Sequence, residues 1–239
     1  MAPFIVSWRR YSANRKSCEG GVEVPKPCEE LIETALKVQK AGLVRGTWGN
    51  LSLRQGAIVW ITPSGMPYEL LTSEDIVPVS LEDGKPLQNR RKPSTELLMH
   101  LKIYRRFPEI NAVVHTHSIY ASAFAAARTE IPCYTEDQAQ IIGGRIRVAS
   151  YAPLGTAELA LNVVEALQDR FAALLANHGA VAVGRSLREA YTAAEILEKS
   201  AEIAYILKSL SPRQSPPELE EDEIAAMRKL YLESYGSAR

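Results

Sequence analysis

The sequence predicts an α/β or α+β domain built in three layers, and three observations carry that prediction. Helix-periodic and strand-like stretches alternate along the chain. A hairpin signal lies near the start: Leu51 and Leu53 alternate with polar residues, Gly56 follows, and the β-rich run "AIVWIT" comes next. Two short apolar runs, "FAALLAN" and "AVAVG", read as buried strands, which need helices to cover them.

Taken in order, "CEELIETALKVQKAGL" places Leu31, Ala35, Leu36 and Leu43 at helical spacing, with Gly42 suited to the C-terminal end. After the hairpin, "TSEDIVPVSLEDGK" predicts a helical turn, a short strand and a turn at Asp83–Gly84. Pro93 and Ser94 open a helix in "PSTELLMHLKIYRRFP", with Leu97, Leu98, Leu101 and Tyr104 on one face and Pro108 as its stop. "NAVVHTH" is a strand, "SIYASAFAAAR" a helix, "GRIRVASY" a strand, and "TAELALNVVEAL" a helix capped by Thr156. The two buried strands meet at Gly179. Ser186 and Glu189 form a capping box for the long helix that runs to Leu210. Ser211 to Glu223 is a Pro- and Glu-rich linker, and a last amphipathic helix follows it.

Lys+Arg and Asp+Glu are both 28, so no global field draws the chain to nucleic acid or an anionic membrane. Hydrophobic residues at 46% and charged residues at 23% are ordinary for a globular protein. No apolar run approaches the roughly 18 residues of a transmembrane helix. The basic opening "MAPFIVSWRRYSANRK" has too short an apolar part for a signal peptide. The three cysteines, Cys18, Cys28 and Cys133, contain no C-x-x-C, so a disulfide framework is not expected. That points to a reducing compartment, the cytoplasm.

His115 and His117 are two of only four histidines, and in a strand they project from the same face, roughly 7 Å apart at Cα. They read either as solvated strand-end residues or as two ligands of one metal ion. His178 follows a buried strand and precedes a glycine that can turn the backbone away. Three imidazoles at strand ends form the ligand set of a catalytic zinc site with one open position. His100, within a helix, reads as structural. Glu96 at a helix amino end either complements the helix dipole or, beside a metal, serves as fourth ligand, general base, or both in turn. Three turns rich in hydroxyls, amides and free N–H groups carry Asn50, Ser64 with Gly65, and Ser94 with Thr95. Each is an ordinary turn or cap by itself; together they suit a phosphate dianion.

The segments "GTWGNLSLR", "ITPSGMPYELLTSEDIV", "KPSTELLMHLKIYRRFPEINAVVHTHS", "YAPLGTAELA", "LLANHGAVAVG" and "LREAYTAAEILEKSAEIAYIL", in that order, resemble the class II aldolase/adducin family. The resemblance is nearest to its members that act on L-fuculose 1-phosphate. It covers 28–210, leaves 1–27 as an irregular arm, and makes 211–239 a linker, helix and tail that complete the active site. It implies a three-layer αβα fold around a mainly antiparallel sheet, and a homotetramer with sites between subunits. It implies Zn2+, with Mn2+ or Co2+ as alternatives, held by Glu96, His115, His117 and His178. Glu96 doubles as the catalytic acid/base. Substrate phosphate falls to Asn50, Ser64, Gly65, Ser94 and Thr95, and the proton donor to the aldehyde oxygen is Tyr235 in "SYG".

The implied reaction is cleavage of a ketose 1-phosphate to dihydroxyacetone phosphate and an aldehyde. Candidate substrates are L-fuculose or L-rhamnulose 1-phosphate and a 5-deoxy- or 5-methylthio-pentulose 1-phosphate. The segment "IPCYTEDQAQIIGG" departs from the fuculose pattern. Either Glu136 or Asp137 stands where an active-site tyrosine belongs, and Tyr134 is out of register, which shifts the expectation toward the second group. Two rivals stand beside the aldolase: an epimerase of the L-ribulose-5-phosphate type, whose relatives carry Asp at the position of Glu96, and an adducin-like binding module, which needs no metal.

Overall fold

A computed structural model describes residues 27–88, 90–210 and 216–234. The core is a seven-stranded sheet in the order β3-β2-β1-β4-β7-β6-β5. Its strands are β1 (Asn50–Gln55), β2 (Ile58–Ile61), β3 (Val77–Ser80), β4 (Ala112–Thr116), β5 (Arg147–Ala149), β6 (Ala172–Leu175) and β7 (Gly179–Gly184). All neighbours are antiparallel except the β5–β6 pair. The expected three-layer, mainly antiparallel architecture is therefore present. Helices α1 (Pro27–Lys40), α3 (Ile119–Ala126) and α5 (Leu187–Leu210) pack together over β1, β4, β6 and β7, while α2 (Leu97–Arg106) and α4 (Ala157–Leu167) form a second layer. Every residue of β4 and β7 is buried, as strands covered on both faces must be. Helix α6 (Glu221–Ser234) docks on a π-helical turn at Gln138–Ile142.

Most local signals act as expected. Gly56, at φ 59°, turns the β1–β2 hairpin. The Thr156 hydroxyl accepts from Leu159 N at 3.2 Å and caps α4. Half of the Ser186–Glu189 capping box forms, with Glu189 N donating to Ser186 Oγ at 3.2 Å; the Glu189 carboxylate accepts from Arg185 N instead. Four details differ from the sequence reading. Pro27 opens α1 rather than ending the arm, as its missing N–H allows at a first helical position. Leu36 faces out of α1 and Val38 faces in. Helix α2 starts at Leu97, because the backbone at 94–96 forms a separate turn. Its buried side is Met99, His100, Leu101, Ile103 and Tyr104, while Leu98 is exposed. His178 lies in the turn between β6 and β7, and Gly179 opens β7.

The loop before β3 is tied by one buried carboxylate. Asp75 accepts from Thr72 Oγ1 at 2.7 Å, from Thr72 N at 3.0 Å and from Arg91 Nε at 2.9 Å. The Thr72 hydroxyl and N–H and the Arg91 guanidinium hold its carboxyl below the usual range against the cost of burial. A carboxyl depressed in the folded state stabilises above the unfolded value of about 4, and that stabilisation fades as pH falls toward the folded value. Asp75→Asn should therefore cost about 1–3 kcal/mol at pH 7. Urea denaturation should show the gap from the native protein narrowing below about pH 4.

Candidate metal centre and active site

The site lies at one end of the three central strands. Asn50 opens β1 and pairs with His115 near the end of β4, and His115 in turn pairs with Val181 near the start of β7. His117 is two residues further along the chain, just past the strand. The β6–β7 turn delivers His178 beside both. The three imidazole centroids are 4.8–5.0 Å apart and mutually tilted by 62–76°. The H-x-H spacing, which left two readings open in the sequence, thus gathers the rings around one point. Such close packing of β4 and β7 requires glycine at 179. A Cβ there would lie 2.4 Å from the Thr116 carbonyl oxygen. Gly179→Ala should push β7 from β4 and separate His178 from the other two rings. We expect a loss of about 1–3 kcal/mol and weaker metal binding, read by thermal denaturation and metal titration.

Glu96 completes the cluster from the N-cap position of α2. Its Oε2 lies 3.0 Å from His115 Nε2, and its Oε1 lies 3.4 Å from His178 Nε2. One donor atom from each of Glu96, His115, His117 and His178 falls within 4.8 Å of the others. Glu96 and His115 are buried, and His117 and His178 are partly so. Burial and the neighbouring ring charges push His117 down to about 4, and burial lowers His178 as well. Burial alone would raise the Glu96 carboxyl. The imidazoles of His115 and His178 and the Asn50 amide outweigh it and hold the group well below the usual range.

Whether these residues suit a metal can be tested on their hydrogen bonding. His115 Nδ1 lies 2.9 Å from the Ala180 carbonyl oxygen, an acceptor, so Nδ1 carries the hydrogen. In neutral His115, Nε2 is then a bare lone pair, and it faces His117 Nε2 at 2.9 Å and the Glu96 carboxylate at 3.0 Å. Lone pairs held this close repel unless a cation or a shared proton lies among them. Glu96 Oε1 is buried and has no hydrogen-bond partner. The second nitrogen of His115 is engaged by a backbone carbonyl, as metal-bound imidazoles commonly are. The donor set fits a divalent cation with nitrogen and oxygen preference.

A polar pocket of about 190 Å³ opens over Glu96, His117 and His178, and Asn50, Ser64, Gly65, Ser94 and Thr95 all line it. The turns that hold them are fastened to each other: Ser64 N donates to Lys92 O at 3.1 Å and Ser94 N to Thr62 O at 3.2 Å, around a bridge between Pro63 and Pro93. Gly65, at φ 69°, adopts a conformation that glycine takes without strain. Asn50 is engaged on both sides of its amide, with Nδ2 donating to Glu96 Oε2 at 2.7 Å and Oδ1 2.6 Å from His100 Nε2. Tyr235 lies outside the described residues. Asp137 caps the π-helical turn and pairs with Lys199 at 2.5 Å, and neither it nor Glu136 joins the metal cluster.

The sequence reading passed over Thr47, Trp48 and Leu154, which also line the pocket. Thr47 and Trp48 lie inside the "GTWGNLS" turn that was singled out for Asn50. Leu154 carried no signal, since an apolar residue in a loop announces nothing. Trp48 is 67% exposed, with its ring 6.0 Å from that of His117.

With the geometry in place, comparison with known proteins is direct. The model of the class II aldolase and adducin N-terminal domain matches residues 29–205. A 5-deoxy-D-ribulose 1-phosphate aldolase of Bacillus thuringiensis serovar kurstaki is 41% identical over 88% of this chain and 97% of its own. An L-fuculose phosphate aldolase of Methanococcus maripaludis is 42% identical over 76% of this chain and 97% of its own. The structure of an L-fuculose 1-phosphate aldolase superposes with a TM-score of 0.82 at 33% identity, covering 89% of this chain and 100% of that one. The chain belongs to the class II aldolase and adducin family, as an aldolase close to the L-fuculose-1-phosphate aldolases.

Proposed function

We propose that the protein is a zinc-dependent aldolase that cleaves a ketose 1-phosphate between C3 and C4, giving dihydroxyacetone phosphate and an aldehyde. The observation that carries this is the junction of two features in one pocket: a carboxylate–imidazole cluster with an orphaned buried oxygen, and turns of phosphate-binding character beside it. Glu96, His115, His117 and His178 would hold the ion. When bound, it supplies electrophilic stabilisation of the negative charge that develops on substrate oxygens as the bond breaks.

The protein's own groups do the rest. Ser64, Ser94 and Thr95 offer hydroxyls and the backbone at Gly65 an N–H to the phosphate, which anchors C1 and fixes the carbon chain relative to Glu96. Asn50 has one amide N–H left for the same oxygens. The C4 hydroxyl would give up its proton to the Tyr235 oxygen, which in the reverse condensation would return it to the aldehyde oxygen; the C3–C4 electron pair moves toward C2; and Glu96, having taken a proton from solvent, delivers it to C3 to complete dihydroxyacetone phosphate.

Within the substrate class we favour a 5-deoxy- or 5-methylthio-pentulose 1-phosphate over L-fuculose 1-phosphate. The altered 131–144 segment supports this, because Glu136 or Asp137 stands where the fuculose pattern has a tyrosine, and Asp137 is bound to Lys199. Exposed Trp48 and Leu154 add apolar surface to the pocket. We also propose a cytoplasmic homotetramer. Free Cys133 suits a reducing compartment, and exposed Ile119, Tyr205 and Ile206 on α3 and α5 suit self-association. No helix among the described residues is long and apolar enough to cross a membrane.

The test is release of dihydroxyacetone phosphate across a panel of ketose 1-phosphates, with the highest kcat/KM expected for the 5-deoxypentulose. Equal or better turnover of L-fuculose 1-phosphate would reverse the preference. Interconversion of pentulose phosphates with no triose phosphate released would replace the aldolase by the epimerase, whose relatives carry Asp at the position of Glu96.

A further inference from the structure

His100 is the one histidine outside the cluster, and its surroundings are unlike those of a core residue placed for packing. It is fully buried on α2 among Met99, Leu101 and Ile103. Each ring nitrogen nevertheless meets a polar partner at 2.6 Å: Asn50 Oδ1 at Nε2 and Ser52 Oγ at Nδ1. Ser52 Oγ lies in turn 2.6 Å from the Tyr104 hydroxyl. Asn50, Ser52, His100 and Tyr104 are all at most 5% exposed. They form an unbroken hydrogen-bonded chain from the Tyr104 hydroxyl to the Glu96 carboxylate.

The direction of every bond in this chain can be assigned. Burial pushes His100 down to about 3, so the ring is neutral and has one donor and one acceptor nitrogen. The Asn50 amide N–H points to Glu96 Oε2. Asn50 Oδ1 therefore faces His100, and Nε2 carries the hydrogen. Nδ1 is then an acceptor and Ser52 donates to it, which leaves the Ser52 oxygen to accept from the Tyr104 hydroxyl. All donors point toward Glu96. Had the Asn50 amide turned over, its oxygen would lie 2.7 Å from a carboxylate oxygen, two acceptors in contact. His100 removes that alternative by presenting a donor where the amide oxygen must be.

We infer that His100 is a positioning residue for Glu96, acting through Asn50, with Ser52 and Tyr104 fixing its tautomer. Oε2 is thereby pinned, and Oε1, which makes no hydrogen bond and lies 3.4 Å from His178 Nε2, is left as the oxygen for proton transfer. This rests on the reading of Glu96 as acid/base given above.

The experiment compares His100→Gln, His100→Asn and Glu96→Gln in full-length protein loaded with zinc, by kcat, KM, metal content and melting temperature. Glutamine can place its amide nitrogen near the Nε2 position and keeps the donor to Asn50; asparagine reaches only the Nδ1 position and loses it. His100→Asn should lower kcat by about 10–100-fold, a larger change than any in KM, at full metal content, while His100→Gln stays within about threefold of the native kcat. Equal losses in the two variants, or no loss in either, would overturn the inference. Should either variant fail to fold, Ser52→Ala carries the test, with a kcat loss above about threefold expected and an unchanged kcat overturning it. Full activity in Glu96→Gln would instead overturn the functional reading itself, whatever the His100 variants do.

Discussion

His115→Ala is expected to empty the site of metal and abolish turnover. His115 is the central member of the cluster: its ring is the nearest neighbour of both other imidazoles, and its Nε2 contacts His117 and Glu96 together. It is also wholly buried and oriented by the Ala180 carbonyl. Loss of a residue that merely orients a ligand costs roughly 10–100-fold in metal affinity; loss of the ligand itself should cost more. Metal analysis after dialysis should find the native protein loaded and the variant empty. His100→Gln, made on the other side of Glu96, should retain its metal.

Glu96→Gln should separate proton transfer from the remaining functions of the pocket. The substitution keeps an oxygen to accept from Asn50 and nearly the same volume in a buried site. It removes the charge that three partly or fully buried imidazoles surround, and with it the group able to give a proton to carbon. A general acid/base contributes about 10²–10⁴-fold, so kcat should fall by that range. Metal binding should weaken but persist on the three histidines, and phosphate affinity, which we assign by proposal to Ser64, Gly65, Ser94 and Thr95, should change little. Product release assayed alongside inorganic phosphate competition reads both effects.

Much of this site was legible in the sequence because its determinants are local. Residues i and i+2 of an extended stretch share a face by geometry, which gives His115 near the end of β4 and His117 just past it. A histidine next to a glycine after a buried strand gives His178. A Pro-Ser-Thr-Glu run at a helix start gives Glu96 and the Ser94–Thr95 turn. Pairings between distant segments were not legible. Nothing in "MHLK" says that His100 will meet Asn50 and Ser52 across the domain, because that contact depends on where α2 lands on the sheet. The same limit explains α2's buried face. Leu98 fits an apolar stripe by spacing, yet the helix turns His100 and Tyr104 inward, where Ser52 provides for both. The π-helical turn at Gln138–Ile142 was also hidden. Its last carbonyls are taken by Arg228 of α6, at 2.8 Å from Gln140 O and 2.6 Å from Ile141 O, a partner almost ninety positions away.

The central claim is that Glu96, His115, His117 and His178 hold a metal on which aldol cleavage depends. It is tested most directly by removing all metal with a chelator, then titrating zinc back while following dihydroxyacetone phosphate release. The account predicts no release from the metal-free protein and recovery that saturates at one zinc per chain, with no recovery in His115→Ala. Full release from the metal-free native protein, or equal recovery in His115→Ala, would contradict it.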